Sequence, residues 1–393
     1  MSAVPEQLQL FNFSGRLDGE QMKCFFTWCA KNSVSDIHIQ GGNELVVGRY
    51  GRLIRVSQFV LADDVMSKLC DEIFNPEVRA TVKGGRPVDR ALQLDGDINQ
   101  RYDLERGERL RFRCNFVQGT AGRLDTTLAL TMRVIPSEIQ ALESMDIEPE
   151  LFDVLLPHKG LGLIGGETGS GKSTLLASIY RYCLEQYPDR KLTTLEDPIE
   201  FILAKPGDIL PVTQLQLRRD IDSYAEGIRA NLRRAPSVIG VGEMRDSETI
   251  EAGIVAGQSG HLCLSTTHIH SPGEAISRCV TRFPAEVREA YARDMLGVLQ
   301  YIVVQKLIRT TDGKRKALRE YIVFDDQLRT ELGDKKYQVW GQHIDSIIKH
   351  EKRRIADHAW QMYCNKQIEY SELSVAMNNK QIREFENGGC HEQ

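Results

Sequence analysis

A short run in the middle of the chain, GETGSGKST at Gly166–Thr174, restricts the possible folds more than any other feature. The apolar run Gly162–Gly165 precedes it, and a helical pattern from Ser173 to Glu185 follows it. A strand that turns through glycines into a helix can wrap backbone N–H groups around phosphate oxygens. We therefore predict a phosphate-binding loop in an α/β domain, and this context argues against the alternative of a chance match.

Each residue type in this loop has an expected role. The Lys172 ammonium is expected to reach the β- and γ-phosphates of ATP, and the Ser173 hydroxyl to ligate Mg²⁺. ATP and Mg²⁺ are therefore the predicted cofactors. The predicted nucleotide-binding residues are Gly166, Glu167, Thr168, Gly169, Ser170, Gly171, Lys172, Ser173 and Thr174.

Hydrolysis of ATP also needs a carboxylate that positions water. Glu243 follows the apolar run Val238–Val241, at the strand end where an open α/β sheet places its ligand. The usual second nucleotide motif has an Asp before this Glu, whereas this chain has Gly242. We predict that Glu243 is catalytic; Asp246 is equally well explained as a helix cap.

A second acidic pair follows the predicted strand Lys191–Leu195. Glu196 and Asp197 are the candidates to supply the carboxylate that is missing at Gly242. Glu196 is the predicted catalytic residue of the pair and is expected to hold Mg²⁺ through water.

Two histidines, His261 and His268, bracket the predicted strand Leu262–Thr266. They are candidates for sensing the γ-phosphate or the boundary between subunits. Packing in a structural role is the alternative. Their spacing does not fit a zinc pair on a helix.

Composition limits the classes that remain. The 393 residues are too many for one ordinary core, so two domains and a tail are expected. A net charge of −5 provides no general electrostatic attraction for nucleic acid, so no direct nucleic-acid partner is expected.

The sequence also predicts the compartment. No apolar stretch is long enough to span a bilayer and the start does not look like a secretory signal, which predicts a cytoplasmic protein without a transmembrane segment. Nine cysteines without a Cys-x-x-Cys pattern fit a reducing compartment, and Cys24 and Cys29 are best explained as buried thiols.

The first third of the chain predicts a small α+β domain. The expected elements are a helix at 21–31, strands at 35–39, 109–117 and 126–135, a hairpin at 44–56, a helix at 62–74 and a glycine turn at 119–122. Predicted domain bounds are 1–136, a linker at 137–149, an ATPase domain at 150–333 and a C-terminal helical region at 334–393.

Arginines alternate along one of these strands, at positions 109, 111 and 113. Alternate residues share one face of a strand. A solvated strand edge would produce the same pattern as a row of residues that act on an anion.

Together these motifs resemble the type II/IV secretion ATPase superfamily, the PilT-like proteins. Gly166–Thr174 matches its first nucleotide motif, and Pro236–Thr249 its second, in which glycine before the glutamate is normal. Thr194–Phe201 resembles its aspartate box and Gly260–His268 its histidine box. Gln258-Ser259 departs from the usual Glu-Thr of that box.

The resemblance extends to the first domain. Ser35–Ile39 and Arg111–Asn115 are similar to the family's PAS-like α+β domain, which precedes a RecA-like P-loop ATPase domain. In relatives, arginines of that domain reach the nucleotide of a neighbouring subunit. The positions that fit, and that are predicted to be catalytic on this basis, are Arg111, Arg113 and Arg133.

Within the superfamily, Ala317–Asp325 looks most like the branch of type IVB secretion and conjugal-transfer ATPases that includes DotB and TraJ. The chain also lacks a four-cysteine zinc insert. The resemblance implies a homohexameric motor associated peripherally with the inner membrane. Its expected partners are components of a secretion or pilus machine and a coupling ATPase. A pilus-retraction motor and a DNA-translocating motor are the alternatives.

Overall fold

The computed structural model describes residues 8, 10–14, 17–121, 124–135, 138–205 and 207–388. It separates into two compact units, one up to Glu138 and one from Ile139 onward. Residues 136 and 137, where the first domain was predicted to end and the linker to begin, lie outside the described residues. The remainder of that predicted linker contains a single 3-10 turn at Leu142–Ser144.

The first unit is a six-stranded antiparallel sheet with three helices. Its strands lie in the order β3-β2-β1-β6-β5-β4. The elements are α1 (Gly19–Lys31), β1 (Val34–Gln40), β2 (Val46–Arg49), β3 (Arg52–Arg55), α2 (Asp63–Ile73), α3 (Pro76–Lys83), β4 (Val88–Asp95), β5 (Arg109–Ala121) and β6 (Leu124–Ile135).

Local patterns explain most of this unit. In α1, Met22, Phe25, Phe26 and Cys29 recur at helical spacing and are all buried. The Asp18 carboxylate caps the helix by accepting from the Gln21 N–H at 3.0 Å. Cys29 is buried, as predicted, whereas Cys24 on the same helix is only half-buried.

The turn predicted at 119–122 was placed too early, so its predicted start is wrong. β5 continues through Gly119, which pairs with Thr127, and on to Ala121, which pairs with Leu124. Cross-strand pairing therefore overrides the local glycine signal. Gly122 itself lies outside the described residues.

The second unit is built on a seven-stranded sheet in the order β13-β12-β7-β11-β10-β8-β9. Only the β12–β13 pair is antiparallel among its described pairings. The elements are α4 (Pro149–Val154), β7 (Gly160–Gly165), α5 (Lys172–Gln186), β8 (Leu192–Glu196), β9 (Thr213–Gln216), α6 (Tyr224–Leu232), β10 (Val238–Val241), α7 (Ser247–Gln258), β11 (Leu262–Thr267), α8 (Ala275–Val280), α9 (Arg288–Val298), β12 (Leu299–Arg309), β13 (Arg315–Val323), α10 (Asp326–Gly333), α11 (Trp340–His350), α12 (Ile355–Cys364), α13 (Tyr370–Ala376) and α14 (Asn379–Gly388).

Both faces of this sheet are covered, as parallel strands require. In β11, Leu262 and Leu264 enter one hydrophobic core and Cys263 enters the other. The same alternation explains why every residue of β7, β10 and β11 is buried. The α/β class predicted from the sequence is thus confirmed.

The C-terminal helices share the core of the sheet. Trp340, Ile344 and Leu373 are buried in the same cluster as Leu161 of β7. The final helices therefore contribute to the stability of the second unit. Within the described residues, no helix combines the length and the apolar character needed to cross a membrane.

Candidate functional site

The carboxyl ends of four neighbouring parallel strands meet at one edge of the second sheet. Pairings such as Thr267 with Gly165 and Val241 with Ser265 align these ends. Polar residues from distant parts of the sequence are therefore gathered at one edge. They are the glycine loop after β7, His268 after β11, Glu243 after β10 and Glu196 at the end of β8.

The glycine loop has a backbone that side chains would disturb. Gly166 has a φ of 141° and Gly171 a φ of 86°, both in the region that favours glycine. A Cβ at position 166 would lie 2.5 Å from the Gln305 carbonyl oxygen and 2.5 Å from the Ser170 Oγ. The loop therefore leaves an open cradle at the N-terminus of α5.

Lys172 folds back over this cradle. Its Nζ donates to the carbonyl oxygens of Gly166 and Glu167, each at 2.8 Å. Burial lowers the pKa of Lys172, and the nearby Glu243 carboxylate opposes this shift. The Ser170 Oγ is buried and lacks a hydrogen-bond partner within the described residues. An ammonium, a buried hydroxyl and a helix N-terminus fit a phosphate group.

Glu243 is held by two basic side chains. Its carboxylate accepts from the Arg245 Nε at 2.6 Å and lies 3.4 Å from the His268 Nε2. The backbone around it is fixed, because the Thr266 Oγ1 donates to the Gly242 carbonyl at 2.5 Å and the Met244 N–H to the Thr266 carbonyl at 3.0 Å. The carboxylate of Glu243 therefore lies beside His268, which follows the neighbouring strand β11.

Gly242, which stands where the usual motif has Asp, has close neighbours. A Cβ at position 242 would lie 2.9 Å from the Tyr224 Oη and 3.2 Å from the Leu195 carbonyl oxygen. Tyr224 is itself buried. A side chain at position 242 would therefore require the Tyr224 side chain to shift.

Glu196 is enclosed and hydrogen-bonded. Its Oε1 accepts from the Thr194 Oγ1 at 2.6 Å and from the Gln214 Nε2 at 2.9 Å. Burial raises the pKa of Glu196, and these two hydrogen bonds oppose the shift. Its neighbour Asp197 is exposed. Of the two, Glu196 is the one with an oriented carboxylate.

Asp246 caps a helix, which is the explanation offered from the sequence as an alternative to a role in the site. Its Oδ1 accepts from the Thr249 N–H at 2.8 Å at the start of α7. No cluster of three or more potential metal-ligating side chains occurs in the part of the chain that the structure describes. A magnesium ion would therefore rely on Ser173, the phosphates and water, as is usual for this cation.

The two histidines lie at opposite ends of β11. His268 follows β11 and joins Glu243, whereas His261 precedes the strand. Six residues of strand put them about 20 Å apart. Within one chain, the structure does not bring His261 to the site, because a β-strand carries its two ends to opposite edges of the sheet.

The arginines predicted to be catalytic lie on the outward face of the first unit. Arg113 of β5 is directly opposite Arg133 of β6, and Arg111 is on the same face two residues away. The Arg133 Nε lies 2.9 Å from the Asp36 Oδ1. Arg113 is exposed on this face.

Several polar residues at the edge were not predicted. Arg245 binds Glu243 and Gln214 binds Glu196. Thr266 binds the Gly242 carbonyl beside Glu243, and Gln305 contacts the glycine loop. A detectable signal existed for Gln305, because it interrupts the apolar run of β12. A polar residue within such a run is informative, since it is buried only when it has a partner.

Sequence comparisons identify relatives over most of the chain. A family model described as type II/IV secretion system protein matches residues 23–383. The type IV pilus retraction ATPase PilT of Pseudomonas aeruginosa is 31% identical over 308 residues, which are 78% of this chain and 83% of PilT.

Solved structures agree with these matches. The ATPase DotB of Legionella pneumophila aligns with a TM-score of 0.84 and 29% identity, over 93% of this chain and 97% of DotB. The pilus retraction motor PilT with bound ADP aligns with a TM-score of 0.73 and 25% identity, over 95% of this chain and 100% of PilT. Both units of the fold are therefore included in the likeness.

Proposed function

Because this chain belongs to the type II/IV secretion system proteins and is an ATPase of that family, we propose that it is a homohexameric, Mg²⁺-dependent motor. It would power a type IVB secretion or conjugative transfer machine at the cytoplasmic face of the inner membrane. The observation that carries the proposal is the sheet edge, where the glycine loop, Glu243 and Glu196 converge.

The described residues suit the proposed chemistry. Lys172 and the loop N–H groups hold the phosphates, and Ser173 is placed on the first turn of α5 to ligate Mg²⁺. Bound Mg²⁺ would neutralise charge on the phosphates. Glu243 positions the attacking water, and His268 orients the Glu243 carboxylate and senses the γ-phosphate. Glu196 holds the metal's water shell through its fixed carboxylate.

A ring would complete this site. At the sheet edge Arg245 is already paired with Glu243 and Lys172 lies over the glycine loop, whereas the outward face of the first unit carries Arg111, Arg113 and Arg133. In the transition state of ATP hydrolysis, the phosphoryl group that is transferred needs cations around its equatorial oxygens. We propose that these arginines serve the nucleotide of a neighbouring subunit, and that His261 lies near a subunit boundary.

Two machines remain to be distinguished. The likeness to DotB, together with the segment Ala317–Asp325, favours type IVB secretion or conjugation, with inner-membrane components and a coupling ATPase as partners. The likeness to PilT supports pilus retraction as the second candidate. Both use the same ATPase site, so only the phenotype separates them.

The test is a deletion strain complemented with the wild-type gene, Lys172→Ala or Lys205→Ala. Lys205 is a matched control, because it is an exposed lysine that pairs with Glu185 at 3.1 Å. We expect the wild type and Lys205→Ala to restore transfer of DNA or protein, and Lys172→Ala to fail at equal protein level. Loss of twitching motility without loss of transfer would instead establish pilus retraction.

The purified protein provides a second measurement. ATP turnover without nucleic acid, unchanged by single- or double-stranded DNA, is expected from the acidic net charge. Strong stimulation by DNA would contradict the proposal and favour a DNA-translocating motor.

A further inference from the structure

A single buried glutamine holds the glycine loop from the side. Gln305 of β12 is 1% exposed, and its Nε2 donates to the Ser170 carbonyl at 2.7 Å. The same Nε2 would lie 2.8 Å from a Cβ at position 171, and the Gln305 carbonyl 2.5 Å from a Cβ at 166. Gln305 therefore touches the loop at its beginning and at its end.

The orientation of this amide is imposed by an arginine. Arg319 of β13 is the direct cross-strand partner of Gln305 and is also 1% exposed. Its Nε donates to the Gln305 Oε1 at 3.0 Å. An arginine has donors only, so the amide oxygen must face Arg319 and the amide N–H must face the loop.

The two terminal nitrogens of Arg319 also have hydrogen-bond partners. They donate to the carbonyls of Met145 and Asp146, each at 3.0 Å. The Glu148 carboxylate lies 3.9 Å away and partly balances the buried charge. Burial lowers the pKa of Arg319, with Glu148 opposing this shift. The anchoring carbonyls follow the 3-10 turn at Leu142–Ser144, early in the second unit.

We propose that Gln305 and Arg319 are positioning residues that hold the glycine loop open for the phosphates of a nucleotide and tie it to Met145 and Asp146. The inference rests on the proposed function, because the loop is taken to bind ATP. Neither residue contacts the nucleotide. Each acts through the Ser170 carbonyl, whose direction sets the N–H groups of the loop.

The central variant is Gln305→Glu in the full-length protein. A carboxylate keeps the acceptor for Arg319, but it presents an oxygen to the Ser170 carbonyl where a donor was. We expect ADP to bind about tenfold more weakly and KM for ATP to rise by a similar factor, because an unsatisfied buried acceptor costs about one hydrogen bond. We expect kcat to change little, because the phosphates are held equally in the ground and transition states.

Gln300→Glu is the matched control. Gln300 lies on the same strand but contacts the Val298 carbonyl, at the end of β12 remote from the loop. Its ADP affinity and KM should equal those of the wild type. Gln305→Met removes both the donor to Ser170 and the acceptor for Arg319 without adding charge, and it should weaken ADP binding in the same direction by about threefold. It keeps the test available if Gln305→Glu does not fold.

Melting temperatures with and without ADP separate positioning from plain stability. Positioning predicts a reduced ADP-induced rise in melting temperature for Gln305→Glu. A folded Gln305→Glu protein with wild-type ADP affinity and KM would overturn the inference. So would a lower apo melting temperature and a smaller active fraction at an unchanged KM. A wild-type protein that neither binds ADP nor hydrolyses ATP would instead overturn the proposed function itself.

Discussion

The two sheets present their charged side chains in different ways. In the first unit, Arg109, Arg111 and Arg113 lie on one face because alternate residues of an antiparallel strand point the same way. In the second unit, Glu196 and Glu243 meet because parallel strands end at the same edge. The first arrangement is local in sequence, and the second brings together residues far apart in the chain.

The difference has a chemical consequence. The outward face of the first sheet is rich in cations, and Arg113 lies opposite Arg133, whose guanidinium pairs with Asp36. The edge of the second sheet is rich in carboxylates around a phosphate-shaped loop. The arginine row of the first unit could supply further cations to phosphates held at this edge, which is why we propose a site shared between subunits.

The largest effect is expected from Glu243→Gln at the sheet edge. Glutamine keeps the hydrogen bond to Arg245 but cannot position water as a carboxylate does. Turnover should fall by about 10² to 10⁴-fold, while ATP affinity stays close to that of the wild type. Single-turnover hydrolysis and equilibrium binding of ATP measure the two quantities.

Asp246→Asn is the control for this variant. It lies three residues away and caps α7, and asparagine caps helices equally well. Turnover of Asp246→Asn should equal that of the wild type. Persisting hydrolysis in Glu243→Gln would refute the role assigned to Glu243.

Arg113→Ala on the other sheet should lower turnover by about 100-fold and leave ATP affinity nearly unchanged, as the loss of one transition-state donor does. Arg109→Ala is the matched control, because Arg109 lies on the same face of β5 but pairs with Asp95 at 2.6 Å. Equal turnover in the two variants would show that the row of arginines is only a solvated face.

A mixing experiment sharpens this comparison. If Arg113 acts on a neighbour, a one-to-one mixture of Arg113→Ala and Glu243→Gln subunits contains complete sites at about one quarter of its interfaces. Turnover of the mixture should then exceed that of either variant alone. If the rings have exchanged subunits and turnover does not recover, the arginines do not act in a site shared between subunits.

The last effect concerns stability and pH in the second unit, and leaves the nucleotide site unchanged. Burial raises the pKa of Glu320 from 4.5 to about 7, whereas the unfolded chain keeps the ordinary value. Between these values the unfolded state releases the proton first, so the free energy of unfolding falls as pH rises. The full loss is about 3 kcal/mol and is complete above pH 7.

Glu320→Gln removes this dependence and can still accept from the Ile355 N–H, which donates to Glu320 at 3.1 Å. The variant should melt at a higher temperature than the wild type at pH 8, with a smaller difference at pH 5. Thermal unfolding at the two pH values measures this. A difference between the two proteins that does not grow with pH would show that the Glu320 carboxyl is not enclosed in solution.

Local patterns predict much of the fold. The hairpin of β2 and β3, the strand Val238–Val241 and the helix α5 follow from alternation, turn residues and the glycine loop, and the structure confirms them. The family prediction is confirmed as well. α3 and β4 were not predicted. β4 exposes five of its eight residues, so its apolar pattern is too weak to be detected in the sequence.

The supporting residues of the site were harder to predict for a different reason. Gln305 and Arg319 lie on two different strands, and their pairing depends on the register of β12 with β13. That register is set by the loop between the two strands and by the match of their apolar faces, so no motif around either residue alone shows the pair. His261 was grouped with His268 because the two bracket one predicted strand, whereas a strand carries its ends to opposite edges of the sheet.

Gly242 has a consequence for redesign of this site. An aspartate at that position, as in the usual second nucleotide motif, would need room now occupied by the Tyr224 hydroxyl and the Leu195 carbonyl. The two positions are therefore coupled, and a protein engineered to carry the aspartate needs a smaller residue at 224 in the same variant. With tyrosine at 224, Glu196 is the carboxylate that we propose for the water shell of the metal ion.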